Sequence, residues 1–175
     1  MAHADRPARD AAFKRFAADP DWQRAVTKSE AGGKLVSKVD EYFLACTDFS
    51  PAVKVEAQDP PRAFELRLYQ SSSGNPEAIN ARFRDHTVKL FEKHGMTNLW
   101  YWNLQPGNKE TKHDLIYLLA HQSSEARNTA FDRFRKDPDW TAARTASERR
   151  AGGSLTTKDG VKSVMLTPAG FSPLK

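Results

Sequence analysis

The sequence predicts an α+β fold, with one complete domain over residues 63–175 preceded by a second copy of only that domain's back half over residues 1–55. Two observations carry this reading: a gapless internal repeat, and a run of strand and helix patterns found once, between the two copies.

The repeat aligns ARDAAFKRFAADPDWQRAVTKSE, residues 8–30, on ARNTAFDRFRKDPDWTAARTASE, residues 126–148, with fourteen of 23 positions identical. It resumes after short insertions, pairing Gly32-Gly33 with Gly152-Gly153 and Phe49-Ser50-Pro51 with Phe171-Ser172-Pro173. Phe13 and Phe16, like Phe131 and Phe134, stand three apart and mark one face of an amphipathic helix. Asp19 and Asp137 each precede a proline, so each ends one helix and caps the next, with Trp22 or Trp140 burying the corner. The glycine pairs end the second helix, and KVDEYFLA and GVKSVMLT then read as strands.

Only the second copy has a front half, which follows the linker EAQDPPR at 56–62. AFELRLYQ alternates, with Phe64, Leu66 and Leu68 on one face and Glu65, Arg67 and Tyr69 on the other. SSSGN makes a turn and Pro76 opens a helix on which Ile79, Phe83, His86, Leu90 and His94 recur at helical spacing until Gly95. NLWYWNLQ is a second strand, PGNKETK a hairpin loop and HDLIYLLAH a third strand. The complete unit therefore reads β-α-β-β-α-α-β, a ferredoxin-like arrangement.

Composition sets bounds on function. The chain has 39% hydrophobic and 10% aromatic residues, enough for a folded core. Its net charge of +5 is dispersed among acidic residues, without the basic run of a nucleic-acid binder. The single cysteine, Cys46, precludes an internal disulfide and a thiolate cage. No stretch is apolar and long enough to span a bilayer, and MAHADRPARD lacks a signal-peptide core. The expectation is a cytoplasmic protein, with export open if sequence precedes Met1.

FELRLYQ at 64, LFEKHGM at 90, the YW at 101, LIYLLAH at 115, DPDW at 137 and GFSP at 170 together resemble a NIPSNAP domain over residues 64–173. The resemblance implies the dimeric α/β-barrel superfamily, in which two ferredoxin-like sheets face each other, and a homodimer or higher oligomer in place of a barrel within one chain. It implies no settled reaction. Phe64, Leu66 and Leu68 are then expected to pack on the helices. Glu65, Arg67 and Tyr69 are expected to line the inter-sheet cavity, with Tyr117, His121 and either Trp100 and Trp102 or Tyr101. Such a cavity suits a small, partly apolar ligand. His86 joins the candidates from its helix, whereas His94 and His113 are expected to face solvent near turns.

Three functional readings follow: a small-molecule-binding or assembly module, a cofactor-independent monooxygenase-like enzyme using Arg67 with His86 or Tyr69, and a haem protein needing one axial histidine. No His pair has i,i+4 metal-ligand spacing, so no metal and no cofactor is expected, nor a nucleic-acid or membrane partner. The lone back half cannot bury its own apolar face. Its strand, around Val36 to Ala45, is expected to join the sheet of its own complete domain or of a partner subunit.

Overall fold

The computed structural model describes residues 1–72, 76–107 and 113–175, in two compact units, Met1–Glu41 and Tyr42–Lys175. Parts of the SSSGN turn and of the PGNKETK loop lie outside the described residues.

The first unit is a helical hairpin. Helix α1 (Arg6–Ala18) is capped by Asp5, whose side chain accepts from Ala8 N at 2.7 Å. Asp19 ends α1 and caps α2 (Pro20–Ser29) by accepting from Asp21 N and Trp22 N. Neither helix has a buried residue.

The second unit is a five-stranded antiparallel sheet in the order β1-β3-β4-β2-β5, built from β1 (Leu44–Cys46), β2 (Ala63–Ser71), β3 (Thr97–Leu104), β4 (Leu115–His121) and β5 (Thr156–Leu166). Without β1 this is the ferredoxin-like strand order. The strand expected around Val36 to Ala45 is present only as β1, which one further bond, from Gln105 N–H to Phe43 O, continues at its start.

Helices cover one face of the sheet. The segment after Pro76 is α3 (Pro76–Arg82), a π-helical turn (Phe83–Thr87) and α4 (Val88–Lys93) in direct succession. Helices α5 (Ser124–Lys136) and α6 (Pro138–Ala151) repeat the hairpin logic, with Asp137 as shared cap and Gly152 ending α6 at φ 75°. The core between the layers holds Ile79, Phe83, Phe91, Tyr101, Tyr117 and Phe131.

The alternation in β2 is real, but its two faces are reversed from expectation. Glu65, Arg67 and Tyr69 face the helices, where Arg127 and the Tyr117 hydroxyl supply partners. Phe64 packs on the opposite face with Leu99 and Ala120. By cross-strand register, Leu66 and Leu68 share that face with Leu118, Ile116, Val164 and Trp102. Alternation separates two faces without saying which one the helices cover. A buried carboxylate decides it, since it goes where cations can reach it.

Candidate functional site

The site begins with Glu65, fully buried in the middle of the sheet between β4 and β5. Its Oε1 accepts from Arg67 Nη1 at 2.6 Å, Arg127 Nη2 at 2.5 Å and Ser163 Oγ at 2.5 Å. Its Oε2 accepts from Arg127 Nε at 3.0 Å and lies 3.2 Å from His121 Nε2. Burial alone would raise the Glu65 pKa, but the bonds from His121 and Arg127 and the charge of Arg67 more than offset it, holding the carboxyl well below its ordinary range.

Arg67 extends the network toward a cavity. Its Nε donates to Tyr117 Oη at 2.8 Å and its Nη2 to Tyr69 Oη at 3.2 Å, while the two hydroxyls bond each other at 3.0 Å. The guanidinium lies 4.7 Å from the Phe131 ring centroid. Burial pulls its pKa down, and the Tyr117 and Tyr69 oxygens and Glu65 push it back above the ordinary arginine value. Tyr117 is raised, chiefly by its burial, so its phenol keeps its proton.

Beyond Arg67 and Tyr69 lies a cavity of about 340 Å³ between the sheet and the helices. Phe83, Phe91, Phe131, Phe134 and Trp140 give it aromatic walls. Arg82, Arg144 and Arg135 also line it, against one carboxylate, Glu148. Arg82 is only 6% exposed, and its Nε is buried without a hydrogen-bond partner among the described residues. Its Nη1 stands 3.8 Å from Glu148 Oε1, an oxygen that already accepts from Arg144 Nε at 3.2 Å. Its Cζ lies 5.2 Å from the Trp140 ring centroid. Burial lowers the Arg82 pKa, with Tyr69 and Glu148 opposing only in part. The cavity thus pairs an excess of positive charge with flat apolar walls.

The π-helical turn sets this geometry. Thr87 Oγ1 donates to Arg82 O at 3.1 Å, a side-chain bond added where the turn widens from α- to π-helical pairing. One extra residue in the turn also shifts the helix phase. Arg82, Phe83, Thr87 and Phe91 are buried, and His86 points to solvent.

Of the residues singled out from sequence, Glu65, Arg67, Tyr69, Tyr117 and His121 converge on the helix-covered face, joined by Tyr101, fully buried against Tyr117. Trp100 and Trp102 stack on the other face with centroids 6.0 Å apart, away from the cavity. His94 does not face solvent as expected, since its Nε2 lies 2.7 Å from the buried Asp137 Oδ2, and His113 is half-buried. Sequence reasoning missed Arg82, Arg127, Arg144 and Glu148. For Arg127 a signal was present in the repeat, which keeps it as Arg9.

Among the described residues no group of three or more His, Cys, Asp or Glu is placed to hold a metal ion. Among the described residues no histidine lines the cavity. No described helix is long and apolar enough to cross a membrane.

Comparison with known proteins agrees with this architecture. The NIPSNAP family profile matches residues 64–173. A NIPSNAP family protein of unknown function from Agrobacterium tumefaciens superposes with a TM-score of 0.55 at 20% identity, covering 69% of this chain and 100% of that one. A second NIPSNAP family protein from the same organism gives 0.54 at 18% identity, covering 65% and 99%. An uncharacterized NIPSNAP-like domain protein from Burkholderia xenovorans gives 0.53 at 15% identity, covering 64% and 89%. No curated protein matches. The profile spans the front half, the helical hairpin and the closing strand in order, and the chain belongs to the NIPSNAP family.

Proposed function

We propose that the complete domain is a small-molecule-binding module whose ligand carries an anionic group on a flat, largely apolar body. One observation carries this reading: Arg82, a buried guanidinium with an unpartnered Nε, lines a cavity walled by aromatic rings. A buried charge that is only partly compensated is costly for folding. A carboxylate or similar anion would neutralise it, while the rings of Phe83, Phe131 and Trp140 cover the rest of the ligand. The volume of about 340 Å³ matches the lower end of small-molecule sites, room for one or two rings.

An enzymatic reading is less well supported. Arg67 is engaged by Glu65, Tyr69 and Tyr117, and His86, the expected proton carrier, faces solvent outside the cavity.

The test compares aromatic carboxylates with their neutral amides by thermal shift, on the wild type and on Arg82→Met. Carboxylates are expected to raise Tm where the amides do not, and Arg82→Met to abolish the effect. Without ligand, Arg82→Met is expected to change stability little, because the charge it removes is poorly paired and Glu148 keeps its bond from Arg144. Equal responses to acids and amides, or an unchanged response of the variant, would reject the reading.

The other face of the sheet supports the assembly half of the same reading. Leu66, Trp100, Trp102 and Leu118 are half-buried and Val164 is 46% exposed, forming an apolar surface that Val53 and Leu174 cover only at the end near Phe64. A second copy of this chain, face to face, is its proposed cover.

A further inference from the structure

The nine differences between the two repeat copies are not scattered. Of the 23 aligned positions, ten are buried or half-buried in residues 126–148, and all ten carry the same residue in residues 8–30. They include the pairs Arg9/Arg127, Phe13/Phe131, Phe16/Phe134, Asp19/Asp137 and Trp22/Trp140. Every one of the nine differences falls at a position exposed in the second copy. The first hairpin has therefore kept the whole contact surface by which the second grips its sheet, and has varied only what faces water.

That surface is also preformed. Phe16 and Trp22 lie with ring centroids 4.4 Å apart at 34°, and Phe134 and Trp140 are 4.5 Å apart at 35°. Arg9 Cζ sits 4.1 Å from the Phe13 ring centroid, as Arg127 Cζ sits 4.6 Å from that of Phe131. In the second copy these groups are covered: Phe131 and Phe134 pack on Phe91, Arg127 clasps Glu65, and Asp137 is held by Lys93 and His94. In the first copy Phe16 remains 49% and Trp22 43% exposed. Arg9 there pairs with Glu41 instead, so a carboxylate is still what it selects.

The tail of the repeat points the same way. Phe49 of the first copy is seated against Phe83 and Tyr101, and Ser50 Oγ accepts from Tyr101 N at 3.0 Å. Phe171, its counterpart in the second copy, is 93% exposed. Both unused elements have their counterpart's seat on a front half like residues 63–121.

We propose that the hairpin α1–α2 is a docking surface for a further β-α-β-β half domain, presented by another polypeptide and chemically like residues 63–121. That partner carries a buried carboxylate in the place of Glu65, an aromatic ring in the place of Phe91 and a Lys-His pair in the place of Lys93 and His94. The hairpin covers its helix-facing side as α5–α6 covers it here.

The experiment vacates such a seat in a full-length chain by combining Phe131→Asp and Phe134→Asp with Phe13→Asp and Phe16→Asp. Alone, this chain is expected to lack a sharp near-UV tertiary signal. With wild-type chain added, the signal is expected to return and native mass spectrometry to show a 1:1 complex. Wild type carrying only Phe13→Asp and Phe16→Asp, both in the first unit, should lose that complex by about a hundredfold or more, roughly the value of burying two phenyl rings. No complex with wild type overturns the proposal. Equal complex formation with the Phe13/Phe16 variant also overturns it, since the second hairpin would then be exchanging instead. A quadruple variant that keeps a full tertiary signal alone overturns the premise that this seat needs a cover.

Discussion

At the scale of single residues, Glu65 sets the balance of the domain. Among the described residues it is the only carboxylate bonded to both Arg67 and Arg127, and it also receives Ser163 and His121. Glu65→Gln leaves two partly buried guanidiniums short of their counter-charge, an expected loss of about 3–5 kcal/mol in chemical denaturation at neutral pH. Because the folded-state pKa lies below the ordinary glutamate value of about 4.5, the contribution is fully present above about pH 4.5 and is lost as pH falls further. The gap between wild type and Glu65→Gln should therefore shrink on acidification below that point. A constant gap from pH 7 to pH 3 would show that the charge of Glu65 is not what stabilises the fold. The sequence makes Glu65, Arg67 and Tyr69 legible as one polar face, because a period of two is all that a strand needs to display. It does not display the direction of that face, which depends on Arg127, 62 residues away in sequence.

At the scale of elements, the strands and helices of the complete domain were legible from periodicity, Pro–Gly punctuation and the Asp-Pro caps. The π-helical turn was not. Its one-residue phase shift is invisible to a pattern that tolerates both three- and four-residue steps, so His86 read as inward and Arg82 went unnoticed. The turn is held by a side chain, and that makes it testable. Thr87→Val keeps the shape of a buried residue but removes the hydroxyl that serves Arg82 O. The hydrogen bond that is lost contributes about 0.5–1.5 kcal/mol. The variant should lose that much stability and, by loosening the turn that aims Arg82, weaken aromatic carboxylate binding in the same thermal-shift assay. Lost stability with unchanged ligand response would separate the turn from the site.

At the scale of the whole molecule, the sheet presents two kinds of surface, and this division explains why the inter-sheet cavity inferred from sequence is misplaced. The charged residues of β2 go under the helices, where partners exist, and the face left over is apolar apart from Lys162 on β5, opposite Leu68. Burying apolar surface gains on the order of 25 cal/mol per Å², and charged groups brought into such a contact without partners reverse that gain. Leu66 on β2 and Val164 on β5 are directly paired across the strands on that face. Lysines placed at both in the Leu66→Lys, Val164→Lys variant would meet their symmetry mates or an apolar wall in a face-to-face dimer, whereas in a monomer their ammonium groups can reach water. The wild type is expected to run as a dimer in native mass spectrometry and light scattering, and the double variant as a monomer with an unchanged far-UV spectrum. Phe13→Asp with Phe16→Asp should leave that dimer intact, because it alters the helical hairpin and not the sheet. A lysine variant that remains dimeric would remove the apolar face as the self-association surface, while a wild type that is monomeric at micromolar concentration would leave that face to another partner.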